Sequence, residues 1–183
     1  MAQKATIFKA ELQVSDLDRN RYGTWSLTLA RHPSETDERM MVRVLAFALH
    51  ADDRLEFGRG LAADDEPDLW LRDRSGAIQA WIDVGLPDER LVRRACGRAV
   101  EVFVYGYGGR AVSRWWTKHA ATLARSTNLT VLNVAAESSR ALAALALRSM
   151  QLQCTVQDGH IWFSDATRTV AVETSTLRGP ALL

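Results

Sequence analysis

Residues 78–134 read IQAWIDVGLPDERLVRRACGRAVEVFVYGYGGRAVSRWWTKHAATLARSTNLTVLNV, and this stretch decides the fold. It opens on a short, mostly apolar strand, residues 78–84. LPDERLVRRACGRA (86–99) follows as a helix with Leu91, Val92, Ala95 and Ala99 on its apolar side. VEVFVYGY (100–107) is apolar at nearly every position, as expected of a strand covered on both faces. GGRAVSRWWTKHAATLARS (108–126) predicts a second helix that buries Val112, Trp115, Trp116, Ala120 and Leu123, and NLTVLNV (128–134) a further buried strand. Strand, helix, strand, helix, strand implies parallel neighbours joined by two right-handed crossovers.

Upstream, residues 68–72 and 78–84 flank DRSGA (73–77), which reads as a hairpin. Before that a helix is expected from Ser34 as N-cap to about His50, with Glu35 and Asp37 in its first turn. Its apolar stripe is Met41, Val44, Leu45, Ala48 and Leu49. Residues 4–14 and 23–31 alternate as two strands joined by SDLDRNRYG, most simply a hairpin. Downstream, a helix is expected at 137–148. LQCTVQDGHIWFSD (152–165) turns on Asp158-Gly159, a strong two-residue turn signal, and RTVAVETSTL (168–177) adds one strand. The class is α/β (α+β), a mixed sheet flanked by helices with antiparallel hairpin extensions from both termini. Without repeats, low-complexity runs or Pro/Gly/Ser-rich linkers, the chain reads as one domain, residues 1–183.

Composition narrows the function classes. With 183 residues and 47% apolar content, the chain suits one domain with a substantial core. Its 23 basic and 22 acidic residues leave a net charge of +1, so any nucleic acid must be engaged through a local patch or a metal and not through bulk charge. No stretch approaches the roughly 20 apolar residues of a membrane span, and the first residues, MAQKATIFKAELQV, lack the apolar region of a signal peptide. A cytoplasmic protein without a membrane partner is expected. Cys96 and Cys154 have no metal-ligand spacing and read as reduced, buried small hydrophobes.

Three carboxylates stand out. Glu38 is read as lying one turn inside the first long helix, Asp68 opens the hairpin after Pro67, and Asp83 sits in the otherwise mostly apolar IQAWIDVGL. With the turn near Arg74–Gly76, positions 68 and 83 come opposite each other. Two carboxylates so placed repel unless a cation or proton intervenes. Oxygen-only ligands favour a hard divalent ion, Mg²⁺ or Mn²⁺. Each acid also has an ordinary reading: Asp68 as strand-entry solvation within DDEPD, Glu38 as helix surface. Asp83 is harder to dismiss, because a buried unpaired carboxylate is costly.

Other motifs carry less. Gly106, Gly108 and Ala111 satisfy G-x-G-x-x-A between strand and helix. No ribose-binding acid ends the next strand, so close packing explains them better than a dinucleotide. Asp16, Asp18 and Asn20 begin like a calcium loop, but Arg21 and Leu27 stand where glycine and glutamate belong. His32, His50, His119 and His160 are scattered. Trp115-Trp116 suggest base stacking less than core packing, and Arg90, Arg93, Arg94 and Arg98 read first as a solvated face.

The strings LARHPSETDERMM (29–41), GLAADDEPDLWL (60–71), WIDVGLPDERLVRRAC (81–96) and QDGHIWFSD (157–165) resemble the YaeQ family of bacterial proteins, in matching order and spacing from about residue 3 to residue 178. The resemblance implies a fold similar to the PD-(D/E)XK nucleases, including restriction endonucleases, with that core over about residues 34–134. It implies that Pro67-Asp68 is the Pro-Asp element, that Asp83 is the acid of the second element, that Val84 offers its main-chain carbonyl to the metal, and that Glu38 is the first-helix acid, contacting the metal through water. Gly85 departs from the pattern, which expects lysine there to position water and stabilise charge on the phosphate. Arg90, Arg93 or Arg94 would have to reach in instead, with Gln79 holding a water. The implied activity is metal-assisted phosphodiester hydrolysis of nucleic acid. The alternative is a non-catalytic module of the same fold that binds nucleic acid or protein.

Overall fold

A computed structural model of the chain describes residues 4–62 and 65–183. Residues 1–3 of the N-terminal stretch, and Ala63 and Asp64 of the acidic run, lie outside the described residues. The chain forms two compact units, one of residues 1–53, 137–173 and 183, the other of residues 54–136 and 174–182.

The first unit is built on a mixed sheet of five strands: β1 (Thr6–Asp16), β2 (Arg21–Arg31), β8 (Ser149–Gln157), β9 (His160–Ser164) and β10 (Thr169–Val172), in the order β10-β9-β8-β1-β2. Along β1, Phe8, Ala10, Leu12 and Val14 are buried while Lys9, Glu11 and Gln13 face out. That period of two fixes which side packs. β1 and β2 pair antiparallel without a slip from Thr6–Arg31 to Asp16–Arg21. The expected hairpins are both present, but they are not extensions of a central sheet. β1 pairs in parallel with β8, from Lys9–Ser149 to Asp16–Val156, so the terminal hairpins make a sheet of their own. The β8–β9 turn has φ of 52° at Asp158 and 74° at Gly159, the left-handed pair of a type I′ turn. The carboxylate of Asp18, in the β1–β2 turn, accepts from the backbone N–H of both Asp158 and Gly159.

Helix α1 (Asp37–Leu49) starts later than Ser34. Its N-cap is Thr36, whose Oγ1 accepts from the Arg39 N–H at 3.1 Å, while the Ser34 hydroxyl engages His32 Nδ1. Glu35 is drawn out of the first turn because it is buried against Arg43 and Arg39, at 2.7 and 2.8 Å. Every residue from Met40 to Leu49 is buried, so α1 is enclosed on all sides and not along one stripe. α4 (Ala136–Ala143) is shorter than the expected 137–148, because turn hydrogen bonds at Ala144 and Leu145 close it.

The second unit holds a six-stranded sheet in the order β11-β7-β6-β5-β4-β3. β5 (Ile78–Val84), β6 (Ala99–Gly106) and β7 (Leu129–Val134) are parallel, with α2 (Glu89–Cys96) and α3 (Arg110–Leu123) between them in sequence, as the β-α-β-α-β reading requires. Trp81, Val92, Ala95, Val102, Val104, Leu123, Leu129 and Val131 form the core that joins helices to sheet. β4 (Leu69–Arg72) forms the expected hairpin with β5, and β3 (Leu55–Phe57), an unexpected strand, pairs antiparallel with β4. Residues 168–177 make two strands and not one. The ladder of β10 breaks at Glu173, whose N–H donates to Ser138 Oγ, and β11 (Thr174–Arg178) pairs antiparallel with β7. Trp115 and Trp116 are half-buried and pack against that core, and the Trp115 indole donates to the Pro87 carbonyl at 2.9 Å. At Gly106 an added Cβ would stand 3.0 Å from Val112 and 3.4 Å from the Leu132 carbonyl, so close packing accounts for that glycine. Among the described residues no helix is long and apolar enough to cross a membrane. Cys154 is buried, Cys96 partly so, and neither is in a disulfide.

Candidate metal centre

The hairpin β4–β5 positions the two acids that matter. Leu69 pairs with Ile82, so Asp68, one step before the first paired residue, stands across from Asp83. The backbone at Asp68 is clamped from the other side. Gly58 N–H donates to the Asp68 carbonyl at 2.9 Å, and a Cβ at Gly58 would lie 2.0 Å from the Pro67 carbonyl oxygen, which only glycine avoids. Leu69, Ile82 and Val84 are buried around this point.

Asp68 is itself buried, at 5% exposure, and its Oδ2 accepts the Val84 N–H at 2.8 Å. The geometry follows from the strand. The next amide, Gly85 N–H, donates sideways to Tyr105 of β6; Val84 N–H therefore faces the β4 side, where the ladder has ended. The Asp68 carboxylate supplies the missing acceptor for a buried N–H that would otherwise be costly to leave unmade. Asp83 is partly exposed, and its Oδ2 accepts the Trp81 indole N–H at 3.0 Å. Each carboxylate is thus oriented by an N–H donor, the kind of support that ligating carboxylates need.

Gly85 departs from the nuclease pattern for a conformational reason. Its φ is +106°, and a Cβ there would meet nothing within 4 Å. Space for a side chain exists, but the backbone conformation disfavours any L residue. The chain leaves β5 at this position, so a lysine would not continue the strand face that carries Asp83.

The remaining side chains of the sequence reading are engaged in contacts of their own. Gln79 shares the β5 face with Trp81 and Asp83, but four residues of strand, about 13 Å, separate it from Asp83. Its amide donates to Asp73 Oδ2 at 2.9 Å. Asp73 also accepts from the Ser75 hydroxyl and from the Ser75 and Ala77 N–H groups, contacts that hold its carboxyl below the usual range. Gln79, near the start of β5, braces the β4–β5 turn through Asp73 and does not reach Asp83. Arg93 is exposed on α2 and paired with Glu89 at 2.7 Å. Glu38 belongs to the first unit. It is the second residue of α1, not one turn inside, and its Oε1 accepts from the buried Ser139 hydroxyl at 2.6 Å. Among the described residues no three His, Cys, Asp or Glu side chains are grouped so as to hold a metal ion. The hairpin brings together a pair of acids.

Sequence reasoning missed Ser139 and the Gly58 clamp. A serine on a later helix gives no local signal of pairing with residue 38, and glycine in FGRG looks like any loop. Two grooves of about 280 and 290 Å³ lie on the outward face of the five-stranded sheet, lined mainly by amides and hydroxyls such as Gln13, Gln151 and Ser26. Glu11 lines both and Asp165 the smaller one.

The YaeQ protein family matches residues 1–174. The chain belongs to the YaeQ family. It is 48% identical to the uncharacterized protein YaeQ of Salmonella typhi and to that of Escherichia coli K12, over 99% of this chain and the whole of each relative. Its fold superposes on the crystal structure of YaeQ protein from Xanthomonas axonopodis pv. citri with a TM-score of 0.92, at 52% identity over 96% of this chain and 99% of that one. The YaeQ protein crystal structure from Pseudomonas syringae gives 0.91 at 33% identity, over 97% and 98%. The recognised family is therefore right, and its relatives here are bacterial.

Proposed function

We propose that this YaeQ-family chain is a divalent-metal-dependent phosphodiesterase acting on nucleic acid in the cytoplasm, with hairpin β4–β5, α2 and β6 as a PD-(D/E)XK-like core. The observation that carries the reading is the cross-strand pair Asp68–Asp83, each carboxylate oriented by its own N–H donor. The donor set suits a hard ion: carboxylate oxygens with the main-chain carbonyl of Val84, no sulfur or imidazole. Mg²⁺ typically takes only one or two carboxylates and keeps its waters, so a pair of acids is enough. Asp68 and Asp83 would hold Mg²⁺ or Mn²⁺, which when bound lowers the pKa of a coordinated water and offsets phosphate charge.

The protein's own part is to hold and to screen. The Val84 and Trp81 N–H groups aim the two carboxylates. The sequence that follows is locally basic: residues 86–136 carry eight Lys and Arg against three Asp and Glu. Arg90, Arg93 and Arg94 are exposed on α2, immediately after Asp83. They draw the phosphate backbone toward the hairpin despite the near-neutral chain. Glu38 and Gln79, engaged by Ser139 and Asp73, are assigned no step.

One observation favours a second reading. The positive φ at Gly85 denies the site its lysine, which suits a module that binds nucleic acid or protein without cleaving. Calorimetric titration of Mn²⁺ separates the cases when combined with incubation on DNA and RNA. Saturable heat and cleavage, both lost in an Asp68→Ala, Asp83→Ala variant, are expected. Metal binding without cleavage leaves the binding module; equal Mn²⁺ heat from wild type and variant removes the metal centre altogether.

A further inference from the structure

We propose that Trp70 is a base-stacking platform beside the carboxylate pair, so that the site takes unpaired nucleotides in preference to duplex. This rests on the nucleic-acid reading above and names its substrate class. Trp70 pairs across the hairpin with Trp81 and lies two residues from Asp68 on the same strand. The side-chain alternation of β4 and β5 therefore puts Trp70, Trp81 and Asp83 on one face. Trp81 is core, at 3% exposure, and its ring meets Trp70 edge-on at 6.4 Å. That edge contact fixes the Trp70 ring while leaving Trp70 itself partly exposed.

Two arginines frame these rings. The Arg72 guanidinium stacks over Trp70 at 4.1 Å from the ring centroid, and that of Arg98 lies over Trp81 at 5.3 Å. Arg72 is held in addition by Glu56, at 3.0 Å, in a pair that is 43% and 62% exposed and hence weak. A guanidinium stacked on an indole marks a flat, π-compatible slot with a cation at its mouth. A nucleobase is flat, has a π face, and carries a phosphate on the same nucleotide. It displaces Arg72 from the ring or is sandwiched beneath it, while Arg72 and Arg98 meet the phosphates. A base within a duplex is already stacked on its neighbours and cannot enter without unstacking. Sequence preference is weak, since every base has a π face.

The test measures binding, in EDTA, so that it does not depend on the metal or on cleavage. Full-length protein is titrated with a single-stranded oligodeoxythymidine, the same oligomer carrying abasic sites, and a duplex of equal length, followed by tryptophan fluorescence and anisotropy. The single strand should quench fluorescence and bind at least about ten-fold more tightly than the abasic strand, which has the same phosphates; stacking on an aromatic accounts for a factor of that order. Trp70→Ala should remove that preference and Trp70→Tyr restore most of it. Equal affinity for the abasic strand or the duplex, or no binding of any of the three, overturns the platform. Base-dependent binding that survives Trp70→Ala overturns it as well. Base-dependent binding by a wild-type protein that shows no metal-dependent cleavage sinks the hydrolase and leaves the platform standing.

Discussion

The two units hold their buried acids in different ways. In the first, Glu35 sits between Arg43 and Arg39, and Asp16, fully buried, is clasped by Arg19. In the second, Asp68 and Asp83 each accept from a neutral donor, the Val84 N–H and the Trp81 indole N–H. A guanidinium cancels the charge it binds, and the pair becomes a fixed part of the core. A neutral donor orients a carboxylate without cancelling its charge. The first arrangement builds its acids into the core, and the proposed metal centre rests on the second.

The largest effect expected from this contrast lies in the first unit. Glu35 and Arg43 are each 2% exposed in their side chains, so removing one partner strands a buried charge. Arg43→Met should cost about 3–5 kcal/mol in urea unfolding, and Glu35→Leu added to it should return much of the loss. A cost below about 1 kcal/mol for the single variant would mean that Arg39 alone carries Glu35.

Next in size is an acid effect, also in the first unit. Burial, and then the charges of Arg19 and Arg21, lower the pKa of His50 from 6.5 to about 3. The unfolded chain therefore binds a proton that the folded chain refuses between those values. Stability falls as pH drops from about 6.5 toward 3, at about 1.4 kcal/mol per unit for this group alone. His50→Gln should flatten that slope in pH-dependent thermal unfolding. An unchanged slope would assign acid loss to the carboxylates.

Much of the second unit was legible in the sequence because its signals are local. The apolar run of β6, the alternation of β5 and the helical spacing of α2 each lie within one element, and consecutive elements pair. Asp68 opposite Asp83 followed from counting along a hairpin. What was not legible depends on distant residues. The parallel pairing of β1 with β8 joins positions about 140 apart, and no pattern in either strand names the other. The break at Glu173 depends on Ser138, and the shift of the α1 cap from Ser34 to Thr36 depends on Arg43 taking Glu35 inward. Glycine at 85 was visible as a missing lysine; that it is a change of backbone direction was not.

That glycine gives the third prediction. At φ +106° any L side chain costs about 1–2 kcal/mol, so Gly85→Lys should lower stability by that amount and add no cleavage activity. Gly85→Asn should cost less, since asparagine tolerates positive φ better. A gain of metal-dependent cleavage in Gly85→Lys would show that the backbone can turn to present the lysine, and would weaken the contrast at its conformational root.

The smallest effect on stability is the most discriminating. Asp68→Asn keeps an oxygen for the Val84 N–H, so the hydrogen bond that closes the hairpin survives the loss of charge. The fold should lose no more than about 1 kcal/mol, within the worth of one adjusted hydrogen bond, while Mn²⁺ heat disappears. Glu35→Gln, the same change in the first unit, removes the charge that two guanidiniums face and should cost several times more. If Asp68→Asn instead costs as much as Glu35→Gln, the Asp68 charge is structural, spent within the protein and not held for a metal. The two substitutions are chemically identical, so unequal costs measure directly how far each unit depends on the charge of its buried acid.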